Sequence, residues 1–181
     1  MEEEITVKPE IIGDLWHLGK IIRPGDFVRG STTRKFVAES GAAERKPVSI
    51  TLDVGKVEFH EHSKKLKILG KILEGKPEEY VQVGQHHSLE VGEGDVFTIK
   101  KKKWAHYELD RLKEAEKAAK RPKIFVLIMD ERDAELFSVR EYGIESLGKV
   151  SGGHGKKIND EKESKNKWYS EILGLIGDKP A

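Results

Sequence analysis

Val48-Ser49-Ile50-Thr51-Leu52-Asp53-Val54 alternates apolar and polar side chains without a break, the two-residue period of a strand with one face buried. The alternation resumes at Val57 and Phe59, stops at the polar run His60 to Lys64, and returns with Leu66 and Ile68. That pattern predicts a hairpin. Before it, Phe27 to Arg29 and Thr32 to Val37 read as short strands, and after it Gly92-Glu93-Gly94-Asp95 separates two more, Ser88 to Val91 and Val96 to Lys100. Short strands and tight turns within about a hundred residues predict a small antiparallel barrel.

Helices flank this β region. Ile11, Leu15, Leu18 and Ile22 recur at helical spacing until Arg23-Pro24-Gly25-Asp26 stops them. Trp16, beside that stripe, is expected to be structural, and His17 to be capped or packed. From Lys103 to Lys120, Ala105, Leu109, Leu112 and Ala119 mark a second stripe, with Glu108, Arg111 and Lys113 to either side. Arg121-Pro122 ends the helix and divides the chain into domains 1–121 and 122–181.

In the second domain Ile124-Phe125-Val126-Leu127-Ile128-Met129 is apolar without alternation, as in a strand covered on both faces. Leu136, Phe137 and Val139, then Ile144 and Leu147, continue as a meander, and Trp168, Ile172, Leu175 and Ile176 form the inner stripe of a last helix. One helix cannot cover both faces of a sheet. The second domain is therefore expected to be part of a larger α/β unit, completed by more chain or by a partner.

The 181 residues hold 36% hydrophobic side chains and no Cys, which excludes disulfides and thiolate metal sites and fits a reducing, cytoplasmic compartment. Met1 to Glu10 is acidic, and no apolar run approaches the roughly 18 residues of a membrane span, so a soluble protein is expected. Lys plus Arg 33 against Asp plus Glu 32 leaves a net charge of +1, so any argument for nucleic acid rests on local clustering.

One such cluster is Thr33-Arg34-Lys35 leading into Glu39-Ser40-Gly41-Ala42-Ala43-Glu44-Arg45-Lys46-Pro47, a loop with small residues at its tip and cations at both ends. Read on its own residues, it is a solvated hairpin with ordinary surface charge. The Lys100 to Lys103 run is likewise expected to be solvated. Asp53, Glu58 and Glu61 lie near one another in sequence, and His60, His62, His86 and His87 are possible zinc ligands, yet no HExxH helix or third ligand accompanies the histidines.

Asp14-Leu15-Trp16-His17-Leu18, Ile21-Ile22-Arg23-Pro24-Gly25-Asp26 and Thr32-Thr33-Arg34-Lys35 together resemble the N-terminal domain of archaeal and eukaryotic Pelota proteins. Glu79-Tyr80-Val81, Gly84, His86 to Leu89, and Trp104 through Leu109-Asp110-Arg111-Leu112 extend the resemblance over residues 5 to 120, and it continues thinly from Ile124 to Val150 into the family's central domain. The resemblance implies an Sm-like barrel and recognition of stalled ribosomes at an empty decoding site, in no-go and non-stop messenger surveillance. It implies an elongation-factor-like GTPase as escort, the ordinary elongation factor in archaea, and a splitting ATPase met through domains absent from these residues.

By the same resemblance the hairpin loop reaches the decoding centre and messenger channel, making Arg34, Lys35, Arg45 and Lys46 the expected RNA contacts. Gly152-Gly153-His154-Gly155-Lys156-Lys157 falls where release factors carry Gly-Gly-Gln, but His154 replaces the Gln. Lys156 and Lys157 are expected to contact RNA or the GTPase without peptide release. No cofactor is required by this reading. The alternative, credited to some family members, is a divalent-metal-dependent RNA endonuclease, with the metal held by carboxylates.

Overall fold

The computed structural model describes residues 3–37, 43–118, 124–152 and 161–177. Two compact units divide the chain, Met1–Lys120 and Arg121–Ala181.

The first unit is a six-stranded antiparallel sheet in the order β1-β6-β2-β3-β4-β5, made of β1 (Glu3–Val7), β2 (Phe27–Val37), β3 (Ala43–His60), β4 (Lys65–Lys76), β5 (His86–Val91) and β6 (Phe97–Lys101). Phe27 to Val37, expected as two strands, is one, paired along its whole length with β3 from Phe27↔Asp53 to Val37↔Ala43. The sheet curls until β5 approaches β2: a Cβ at Gly30 would lie 2.7 Å from Leu89 Cδ2. Any larger residue there would push the Leu89 side chain aside.

Val48, Ile50, Leu52 and Val54 are buried inside the curl, as their alternation predicts. Val57 and Phe59 are also packed on the core although they stand at odd positions. A register shift between Val54 and Lys56, at Gly55, supplies the extra residue that changes the phase. A second shift at Thr51/Leu52 leaves Leu73 on the outer face, 43% exposed.

Helix α1 (Ile12–Ile21) lays Leu15, Leu18 and Ile21 on this core. Its first turn is capped by Asp14, whose carboxylate accepts the backbone N–H of Glu10 at 2.8 Å and of Ile11 at 3.1 Å. Beyond it the chain turns at Gly25, φ +88°. Helix α2 (His106–Ala118) packs Leu109 and Leu112 against the same core, while Ala119 lies outside the described residues.

Two expectations fail around α2. Lys101 is not solvated but 3% exposed, and Glu108 is 4% exposed rather than flanking the stripe. The Lys101 ammonium donates to the Ile21 carbonyl at 2.9 Å, to Glu108 Oε1 at 3.2 Å, and to Asp26. Glu108 Oε2 in turn accepts the Ala105 N–H at 3.0 Å, capping α2. A buried ammonium surrounded by two carboxylates and a carbonyl is fully compensated, which is why this lysine can be inside.

The second unit is a three-stranded antiparallel sheet, β7 (Ile124–Met129), β8 (Asp133–Arg140) and β9 (Gly143–Ser151), with helix α3 (Glu161–Gly177) packed on it. Its small core joins Ala134, Trp168 and Ile172, with Leu127 and Val150 packed against them. The expectation that β7 is covered on both faces is corrected: β7 is an edge strand paired with β8 alone, and of its six residues just Leu127 is half-buried. The reason is the supply of cover, since α3 reaches one face only through Trp168 and Ile172. Ile176 is also exposed rather than inward. No helix among the described residues is long and apolar enough to cross a membrane.

Candidate nucleic-acid interface

The four cations singled out from the sequence stand on the β2–β3 ribbon beyond the barrel core. Arg34 pairs with Lys46 and Lys35 with Arg45 across the ladder. Directly opposed residues of an antiparallel pair share a face, and neighbours alternate. Arg34 and Lys46 therefore share one face of the ribbon, and Arg45 stands on the other.

Arg34 and Lys46 continue the face that carries Val48 and Ile50 into the core. Here the ribbon meets the segment after β4, where Glu78–Tyr80 forms one short 3₁₀ turn. Arg34 donates to Gln85 Oε1 at 3.1 Å and to the Tyr80 carbonyl at 3.5 Å, so its guanidinium braces that segment. Lys46 pairs with Glu44 at 2.7 Å; this hydrogen bond and charge hold the Glu44 carboxyl below, and the Lys46 ammonium above, their ordinary ranges. His87, on β5 beside this braced segment, is half-buried, and burial, then the Arg34 charge, pushes its pKa down.

Arg45 stands on the opposite face and is exposed; of Lys35 only the backbone is described. The loop tip, 38–42, and His154, Lys156 and Lys157 lie outside the described residues. Sequence reasoning missed Tyr80, Gln85 and His87 as the platform under the ribbon. No local signal marks them, because they meet Arg34 only through the curl of the sheet.

The possible metal ligands do not gather. Among the described residues no three His, Asp or Glu side chains are placed to hold a metal ion. Glu58 is engaged by Lys56 at 2.5 Å and lies 3.6 Å from His60, and the Lys56 hydrogen bond and charge hold its carboxyl below the usual range.

A profile of the Pelota N-terminal domain matches residues 1–116, the whole curled sheet and most of α2. The chain belongs to the Pelota family. A Pelota homologue from Methanobrevibacter smithii is 36% identical over 181 residues, 95% of this chain and 51% of the relative. The crystal structure of Thermoplasma acidophilum Pelota superimposes with a TM-score of 0.65 at 26% identity, covering 98% of this chain and 49% of that one. A ribosome-bound archaeal Pelota, described together with ABCE1, gives a TM-score of 0.56 at 32% identity, covering 97% and 51%. The chain thus spans about half the length of the Pelota relatives it matches.

Proposed function

We propose that this chain carries the ribosome-recognition end of a Pelota-type rescue factor. In this reading the β2–β3 ribbon enters the empty decoding site of a stalled ribosome and contacts RNA through Arg34, Lys35, Arg45 and Lys46. The observation that carries the proposal is the paired, two-faced array of cations on a ribbon projecting past the core, in a family with a ribosome-bound member. Phosphate contacts of this kind give affinity without sequence preference, as a factor that must act on any messenger requires.

Subunit dissociation, and service in no-go and non-stop surveillance, belong to the same proposal. So do an elongation-factor-like GTPase as escort and a splitting ATPase as partner, the latter in keeping with the relative described alongside ABCE1. Lys156 and Lys157 are proposed to add RNA or GTPase contacts. The activity is binding and not bond cleavage.

Co-sedimentation with ribosomes stalled on truncated messenger, over a salt series, tests the reading. Replacing Arg34, Lys35, Arg45 and Lys46 together by Ala should make the slope of log K against log salt shallower by roughly 3. Equal, equally salt-sensitive binding by the variant would remove the ribbon from the interface.

A further inference from the structure

Trp16, Lys20, Arg23, Tyr107 and Arg111 lie away from the hairpin, and none belongs to the buried core cluster. They form a ladder across α1 and α2. Lys20 Nζ sits 5.8 Å and the Arg111 guanidinium 5.7 Å from the centre of the Trp16 ring. Arg23 stands 5.4 Å over Tyr107. Because Arg23 follows α1 and Tyr107 opens α2, while Trp16 and Arg111 meet further along, the two helices run antiparallel and the ladder follows their line of contact.

The arrangement leaves positive charge uncompensated. Lys20 and Arg111 crowd one ring, and among the described residues the only carboxylate within ion-pairing reach of the three cations is Glu108, 3.9 Å from Arg23 Nε. That carboxylate shares the Lys101 ammonium with Asp26 and so offsets part of the Arg23 charge, while Lys20 and Arg111 have no carboxylate within ion-pairing reach among the described residues. Stacking fixes each cation over a ring while its remaining N–H donors stay available, so little freedom is lost when an anion arrives. Cations distributed over two adjoining helices suit a line of anions rather than a single one. Aromatic rings interleaved with cations are the composition of a nucleic-acid surface.

We propose that the outward face of α1 and α2 is a second RNA-binding surface, gripping the phosphodiester backbone through Lys20, Arg23 and Arg111 held on Trp16 and Tyr107. This surface is built independently of the hairpin, whose four cations it does not use.

The experiment is fluorescence anisotropy of a labelled 20-nucleotide oligouridine with the full chain, from 50 to 200 mM salt. The proteins compared are the wild type, Lys20→Gln/Arg23→Gln/Arg111→Gln, and Lys20→Gln/Arg111→Gln, which leaves the Arg23–Glu108 contact intact should the triple variant fold poorly. Each is also made in the hairpin background with Arg34, Lys35, Arg45 and Lys46 changed to Ala. Three lost phosphate contacts should flatten the salt slope by roughly 2, two contacts by roughly 1.4, in both backgrounds. Unchanged slope and affinity in folded helix variants, or no RNA binding by the wild type, would overturn the proposal. Equal displacement of RNA by an oligoglutamate of equal charge would also overturn it, by showing that the surface favours acidic polypeptide. Loss on hairpin substitution with none on helix substitution in either background would leave the ribbon reading standing and sink this one.

Discussion

Lys101 shows how little a run of like residues says about each member. Its neighbours in Lys100 to Lys103 face water or the rim, while its own ammonium is enclosed by Asp26, Glu108 and the Ile21 carbonyl. Lys101→Ala should cost about 3 to 5 kcal/mol in urea unfolding, because the buried Glu108 and the partly buried Asp26 lose their counter-charge. His87 makes a second residue-level test. Its Nε2 is buried without a partner among the described residues, and Arg34 is close, so protonation is disfavoured in the fold. Its pKa is lowered from the ordinary 6.5. The unfolded chain then binds a proton that the folded chain resists, and stability rises with pH between the folded value and 6.5, staying full above it. His87→Asn should flatten the urea midpoint across that window. A midpoint that still climbs from pH 5 to 7 by the wild-type amount would assign the effect elsewhere.

Among the elements, β3 was the most readable and its bulges the least. Alternation from Val48 to Val54 identifies the buried face because period two is a direct imprint of pleating. The phase change at Gly55 is invisible in composition, since Val57 and Phe59 look like strand residues whichever way they point. The partner strand records it instead. A Cβ at Gly70 would collide with the backbone of Asp53, whereas one at Gly55 would meet nothing closer than 3.7 Å. Gly70→Ala should therefore destabilise by about 1 to 3 kcal/mol in urea titration, and Gly55→Ala by clearly less. The opposite mistake arises at β7, where an unbroken apolar run suggested cover on both faces and the described sheet leaves Ile128 62% exposed. Hydrophobicity states what a strand would gain from burial, not what is at hand to bury it. The candidate site was half legible: the cations are plain in the sequence, but the brace of Arg34 on Gln85 and Tyr80, 51 and 46 residues away, depends on the curl.

At the scale of the whole molecule, the two units differ in core size. The first encloses residues from both helices and the six strands, while the second rests on Ala134, Trp168 and Ile172. Native-state hydrogen exchange should accordingly show two tiers, with amides of β3 and β4 opening only globally and those of α3 exchanging sooner. Trp168→Ala should abolish protection in α3 and leave the β3 and β4 amides unchanged. Slow exchange throughout the variant would show that α3 is held by something other than its two buried anchors. The ribbon carries a different consequence at this scale. With Arg34 and Lys46 on one side and Arg45 on the other, a flat surface can touch at most one face, so the ribbon has the form of a key rather than a stamp. A cleft narrow enough to admit two strands meets both faces at once; a surface lying alongside meets one. Under the function proposed above, such a ribbon would sense enclosure itself, favouring a channel that surrounds it over RNA that merely lies alongside.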